Sequence, residues 1–399
     1  MPIGTPFHSR TEPLCASHNW RTWSGYLVAS SYDVMHDYEY HAIRNTAGLI
    51  DISPLYKYDV TGEDALRLVN RVITRDAAKC AVGQALYGCI CDNEGKVIQD
   101  GTVFRLGENH CRFNLAEPSV RWLSLNAKGM DIDIKEVSEQ FAALALQGPN
   151  AYKILQRVLN VDIGRLRFFR LTQGKIQDVD VIVSRTGYTG DLGYEIWLGA
   201  ASAPQTWDIL LDAGKQFGIK PTGLMALDVA RLEAGFILLE VDYIGTDRAM
   251  SPGQQYSPYE IGLGWTVDLN KEHFVGRKAL LEEKAQGSPR QIVGLEIDLP
   301  AYESLFQEVG LPPQFPAAAW RSVVPLYRNG LQVGHATTGA WSPALKKYIA
   351  LATVRQDCTR PGSKLTMEVL IEYTRKTAPV TVVPLPFYDP PRKRALFGK

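Results

Sequence analysis

Residues 184–197 constrain the fold more than any other stretch: Ser-Arg-Thr-Gly-Tyr-Thr-Gly-Asp-Leu-Gly-Tyr-Glu-Ile-Trp. A β-branched run, 179–183, precedes it, and residues 194–198 again favour a strand. Between them lie Gly187, Gly190 and Gly193. The pattern predicts a hairpin over 171–198, with a strand, a glycine-rich turn and a returning strand. Glycine there permits positive φ and close approach of the backbone to a ligand. Alternation puts Glu195 on the opposite strand face from Tyr194 and Ile196. A carboxylate held among aromatic rings requires a partner with two adjacent donors. The plain alternative is a surface hairpin with a solvated Glu195.

A chain of 399 residues has room for two or three domains. Lys plus Arg equals Asp plus Glu, so neither a nucleic-acid face nor an anionic membrane face is expected. Residues 392–394, Arg-Lys-Arg, read as a solvated tail. The N-terminus carries no charged-then-apolar leader pattern, and no run reaches the roughly 18 apolar residues of a membrane span. Cys89 and Cys91 form a C-x-C pair without a second pair, and no metal site is expected. The cysteines read as reduced thiols of a cytoplasmic protein.

Helices are expected over 34–46, 64–72, 118–127, 150–159, 204–217 and 223–235. Asn150 is placed to cap its helix. Strands are expected over 85–91, 97–106, 110–115 and 141–146, with turns at 93–95 and 107–109. The alternation over 58–170 suggests a β-α-β-β-α-β, ferredoxin-like unit. The chain is strand-rich from 291, interrupted over 299–320 by an apparent insertion.

The hairpin resembles the signature of the tetrahydrofolate-dependent aminomethyltransferases, the T-protein family of glycine cleavage. Further residues carry the likeness: Gly25-Tyr26, Tyr32, Glu39 to Arg44, Ala47 to Ser53, Gly95 to Asp100, Arg231-Leu232-Glu233-Ala234-Gly235, Gly262 to Val267, Phe274 to Leu280, and Thr337 to Pro343. The resemblance spans most of the chain, apart from the extreme N-terminus and two insertions. It implies an α+β fold of three domains in a cloverleaf, with a ferredoxin-like half and a C-terminal β-barrel. The expected boundaries are 1–57 with 171–275 for a discontinuous folate-binding domain, 58–170 for the ferredoxin-like domain and 276–399 for the barrel domain.

The resemblance also implies site residues. Glu195 would grip the donor edge of the pterin. Asp100 matches the second aspartate of the family's G-G-x-I-D-D and would be catalytic, holding or moving a proton on a folate nitrogen; the alternative is a turn cap before Gly101. Asn114 would face the pterin, or serve as a structural amide. Tyr188 would stack beside the pterin and Arg185 would pair with the glutamate tail; either could equally be a hairpin surface residue. Tyr32 would lie on the substrate side. Tyr243, in the lengthened loop after Gly235, would protonate a leaving oxygen, or merely pin that loop.

Two departures stand out. Pro54-Leu55 replaces the family's His-Met, and Leu227 stands where the family has a folate-binding arginine. On these departures and Tyr243, the leading expectation is a demethylase of a small methylated donor, such as a methoxy-aromatic acid, giving methyl-tetrahydrofolate. The first alternative is glycine-cleavage aminomethyltransferase, with a lipoyl carrier protein as partner. The second is a non-enzymatic folate-binding protein.

Overall fold

The computed structural model describes residues 1–397. The hairpin strands Val179–Ser184 and Gly193–Gly199 pair antiparallel, with Ser184 opposite Glu195. They lie inside a six-stranded sheet whose order is Leu171–Ile176, Val179–Ser184, Gly193–Gly199, Phe141–Gln147, Ala47–Asp51 and Ile219–Pro221. Strand Phe141–Gln147, expected in the ferredoxin-like unit, thus belongs here. Both of its faces are buried: Ala143 and Ala145 face one core, Leu144 and Leu146 another. A strand covered on both sides fits the middle of a sheet.

A second, wholly antiparallel sheet has five strands in the order Gln84–Cys91, Val97–Gly107, His110–Leu115, Tyr56–Thr61 and Asp133–Glu136. Helices Ala65–Val72 and Val120–Asn126 cover one face, where Leu68, Val69, Val72 and Leu123 pack on Val60, Val103 and Phe113. The last four strands follow the ferredoxin-like arrangement, and Gln84–Cys91 is an added edge. Residues 290–383 close a six-stranded barrel.

Helix Ala151–Val158 forms as expected, but Asn150 does not cap it; its side-chain amide donates to the Phe217 carbonyl at 3.1 Å. Helix Asp37–Asn45 is shorter than expected at its start. Its Arg44 is almost fully buried beside Glu233 (2.6 Å) and Asp191 (3.3 Å). Glu233 also accepts from Tyr40 and from Ser342 of the barrel, each at 2.5 Å. One carboxylate therefore ties two helices to the barrel. Glu233→Ala is expected to lower stability by about 3 kcal/mol, because it strands a buried guanidinium; the midpoint of chemical denaturation measures it.

The tail 392–394 is only partly solvated, since Arg394 stays exposed beside Asp389 while Lys393 is buried. Arg392 pairs with Asp191 at 2.6 Å, and the Lys393 carbonyl accepts from Arg185. The pairing holds Arg392 against the glycine-rich turn. All six cysteines are buried and free, and no helix among the described residues is long and apolar enough to cross a membrane.

Candidate active site between the two sheets

Cross-strand register puts the chemistry on one face of the five-stranded sheet. Cys89 lies opposite Asp100, Tyr87 opposite Thr102, and Ala85 opposite Phe104. On the next strand Asn114 lies opposite Thr102. Directly opposed residues in an antiparallel pair share a face. Glu195 and Trp197, two apart on their strand, point the same way from the other sheet. The two faces meet where Phe104 packs edge-on against Trp197, with centroids 5.3 Å apart. Asp100 and Glu195 thus project from two sheets into one shared interface.

Asp100 is held by two phenols. Tyr87 donates to Oδ2 at 2.6 Å, and Tyr243 donates to Oδ1. The Tyr243 hydroxyl also accepts from the Asp100 backbone N–H at 3.0 Å. Burial pushes the Asp100 carboxyl above its ordinary value, and the two phenol bonds pull it back. Burial and the adjacent carboxylate raise both tyrosines far above theirs, so both remain donors. The turn-cap alternative for Asp100 is not what the geometry shows. Sequence reading passed over Tyr87, although a signal existed: pairing 85–91 with 97–106 through the turn at 93–95 puts Tyr87 on the face of Asp100.

Among the described residues Glu195 has no cationic partner. Thr186 donates to its Oε2 at 2.7 Å and Ser184 approaches at 3.4 Å, whereas Oε1 has no hydrogen bond within the described chain. Burial raises its pKa against those two hydroxyls. Asn114 is 3 % exposed. Its Nδ2 reaches Thr102 at 3.4 Å, while its buried Oδ1 has no partner. Two acceptors left open in one interface invite a ligand with clustered donors. Tyr188 stacks on Phe236 with centroids 5.6 Å apart and donates to the Ile237 carbonyl. Its ring packs against the core beneath the site.

The glycines of the turn serve the protein rather than a ligand. A Cβ on Gly187 or Gly193 would stand 2.1 or 2.2 Å from the buried Gln147 amide. Gly190 has φ +70°, and a Cβ there would meet Ala234 at 2.4 Å. Gln147 holds the turn by donating to the Thr186 carbonyl at 3.3 Å and accepting from Thr189 at 2.8 Å.

Three expectations need correction. Arg185 is fully buried, and its guanidinium donates to the carbonyls of Leu166, Lys393 and Ala395, so it cannot meet a ligand's tail. Tyr32 is 5 % exposed and packs near Phe7 and Trp207 in the core on the far side of the six-stranded sheet. Tyr243 does not stand apart on a substrate loop; its hydroxyl is committed to Asp100. Leu227 packs into the core beneath the site, as its apolar side chain demands.

Two facing sheets backed by a closed barrel, with opposed carboxylates between them, define the class. Residues 14–271 match the GCVT N-terminal domain, and residues 307–389 match the glycine cleavage T-protein C-terminal barrel domain. The chain belongs to the glycine cleavage T-protein family, whose aminomethyltransferases are enzymes that use tetrahydrofolate as one-carbon acceptor. It is 35% identical over 353 residues to an aminomethyltransferase of Halothermothrix orenii, covering 88% of this chain and 90% of that one. It is 32% identical over 394 residues to an aminomethyltransferase of Moorella thermoacetica, covering 98% of each. The fold matches the crystal structure of the glycine cleavage system aminomethyltransferase T from Bartonella henselae with a TM-score of 0.83 at 24% identity, covering 99% of this chain and 100% of that one. These relatives overturn the demethylase expectation. Pro54-Leu55 and Leu227 thus stand in a chain whose family and relatives do not support a separate demethylase reading.

Proposed function

We propose that the chain is an aminomethyltransferase, moving a one-carbon unit from an aminomethyl group on a lipoyl carrier protein to tetrahydrofolate, with release of ammonia and formation of methylene-tetrahydrofolate. The observation that carries it is Asp100, clamped by Tyr87 and Tyr243, on the sheet face that meets Glu195 and Trp197. The near-full-length similarity to aminomethyltransferases supports the same reading.

Tetrahydrofolate supplies a nucleophilic nitrogen. The open acceptors fit it: Glu195 Oε1 and the unpartnered Asn114 Oδ1 suit the adjacent N–H donors of a reduced pterin. Glu195 binds and orients. Asp100 takes the proton shed at the reacting nitrogen, and as a carboxylate it stabilises positive charge developing beside it. Tyr87 and Tyr243 fix both carboxylate oxygens and stabilise the ionised form. Phe104 and Trp197 exclude water from the interface, which strengthens each of these interactions.

The test is to incubate purified protein with tetrahydrofolate and a lipoyl carrier protein loaded with aminomethyl. Mass spectrometry is expected to find methylene-tetrahydrofolate, formed with one ammonia per turnover. No folate product from that carrier, or a methyl-tetrahydrofolate product, would overturn the assignment.

A further inference from the structure

Beside the site, three arginines gather around one aspartate. Asp228, on the helix Leu224–Glu233, is buried. Arg321 donates to its two oxygens at 2.7 and 2.5 Å. Arg21, from strand Asn19–Trp23, donates at 3.2 Å. Arg231 lies 3.7 Å away, but its own close partner is Asp242 at 2.5 Å. Three guanidinium groups thus share two carboxylates, and 3 − 2 leaves one positive charge unbalanced. Arg21 and Arg321 are also open: their side chains are 31% and 30% exposed. Arg21 uses only Nη1 and Arg321 only Nη2, so Nε and the other terminal nitrogen of each have no partner within the described chain.

This cluster borders the active site. Leu227 and Val229 flank Asp228, and both pack in the core that holds Trp197, Phe104 and Tyr243. Ala319, two residues before Arg321, packs on that same core. Tyr188 lies within electrostatic reach of Asp100 and of Asp228 and Arg231 alike. The segment 299–320 explains how Arg321 arrives. His36 meets the Ala317 carbonyl at 3.2 Å, and Trp320 pairs its backbone with Gly339 of the barrel. The segment is pinned on both sides, and Arg321 emerges directly over Asp228.

We infer that Arg21 and Arg321 form a seat for the carboxylate tail of tetrahydrofolate, with Asp228 holding the two guanidinium groups side by side until the ligand arrives. The inference rests on the folate reading above and goes further by naming the residues that receive the tail. Free guanidinium edges are suited to a carboxylate because they offer paired donors in a fixed plane. The cations come from the strand Asn19–Trp23 and from Arg321 rather than from the helix that carries Leu227.

Calorimetric titration with two probes tests it: tetrahydrofolate, and 6-methyltetrahydropterin, which has the same ring and no tail. Arg321→Gln is expected to weaken tetrahydrofolate about tenfold and to leave the tail-less pterin within about twofold. Arg321→Lys, which keeps the charge and loses the fork, should fall between. Arg21→Gln reads the same seat without disturbing the insertion, and should show the same selectivity. Asp228→Asn gives the sharpest contrast. It frees both guanidinium groups, so tetrahydrofolate should bind more tightly, by about threefold. A mere staple between insertion and helix would make Asp228→Asn and Arg321→Gln weaken binding alike, and that result would overturn the seat. So would equal losses for both probes, or none. Wild-type protein that binds both probes equally removes the seat but leaves the folate site standing. Protein that binds neither removes both.

Discussion

Asp100→Asn is expected to lower turnover by about a hundredfold or more, the usual scale for removing a group that moves a proton. Tetrahydrofolate affinity should stay within about twofold, because the variant keeps the shape and a hydrogen-bonding partner for each phenol. The pH profile carries a further sign. Burial raises the Asp100 pKa above 3.8, so the acid limb of activity lies above that of an ordinary aspartate and activity rises with pH through it. Tyr87 and Tyr243 both stabilise the ionised form. Tyr87→Phe removes one of those donors and should move the acid limb upward again, while the ring stays packed near Trp265. Near wild-type turnover in Asp100→Asn would make the residue structural. An acid limb that ignores Tyr87→Phe would mean that Tyr87 does not tune Asp100.

Glu195→Gln should have the second largest effect, and it acts in two directions. The open Oε1 is the acceptor for a charge-assisted pair, so tetrahydrofolate affinity is expected to fall by about tenfold or more. The free protein should become more stable at neutral pH. The folded pKa of Glu195 is raised above 4.5 by burial, against the hydroxyls of Thr186 and Ser184. Between those two pKa values the folded state binds the proton that the unfolded state has lost. The group's stabilisation is therefore complete below pH 4.5 and is lost as pH rises through the folded pKa. Glutamine does not ionise, so its advantage should grow from pH 4.5 to pH 8 in thermal melts. This is the trade-off expected where a site stores an unpaired buried charge for its ligand. Unchanged folate affinity would take Glu195 out of the site. A stability gain that does not vary with pH would mean that its ionisation is not strained.

What the sequence determined by itself was local. Period-two alternation placed Glu195 on one face of its strand. Glycines at 187, 190 and 193 marked the turn, whereas only the family resemblance singled out Asp100 as a candidate for catalysis. These features follow from side-chain direction and turn chemistry, which act over a few residues. The family likeness extends them to a three-domain outline, whereas the departures at Pro54-Leu55 and Leu227 point to a different donor, which the near-full-length aminomethyltransferase relatives overturn. Single substitutions change a pocket wall more readily than they change a reaction.

Only the tertiary structure decided which groups meet. Gln147 fills the space that the glycines leave, and Arg185 turns inward to three carbonyls instead of outward to a tail. Tyr32 enters the core, whereas Tyr243 crosses 143 positions of sequence to reach Asp100. Strand Phe141–Gln147 leaves its expected unit because its two apolar faces need cover on both sides. Arg321 reaches Asp228 because the segment before it is pinned to His36 on one side and to the barrel on the other. The physical reason is common to all six. Pairing partners are selected by burial and by satisfaction of polar groups in three dimensions, and no periodicity along the chain encodes which distant residue will supply them.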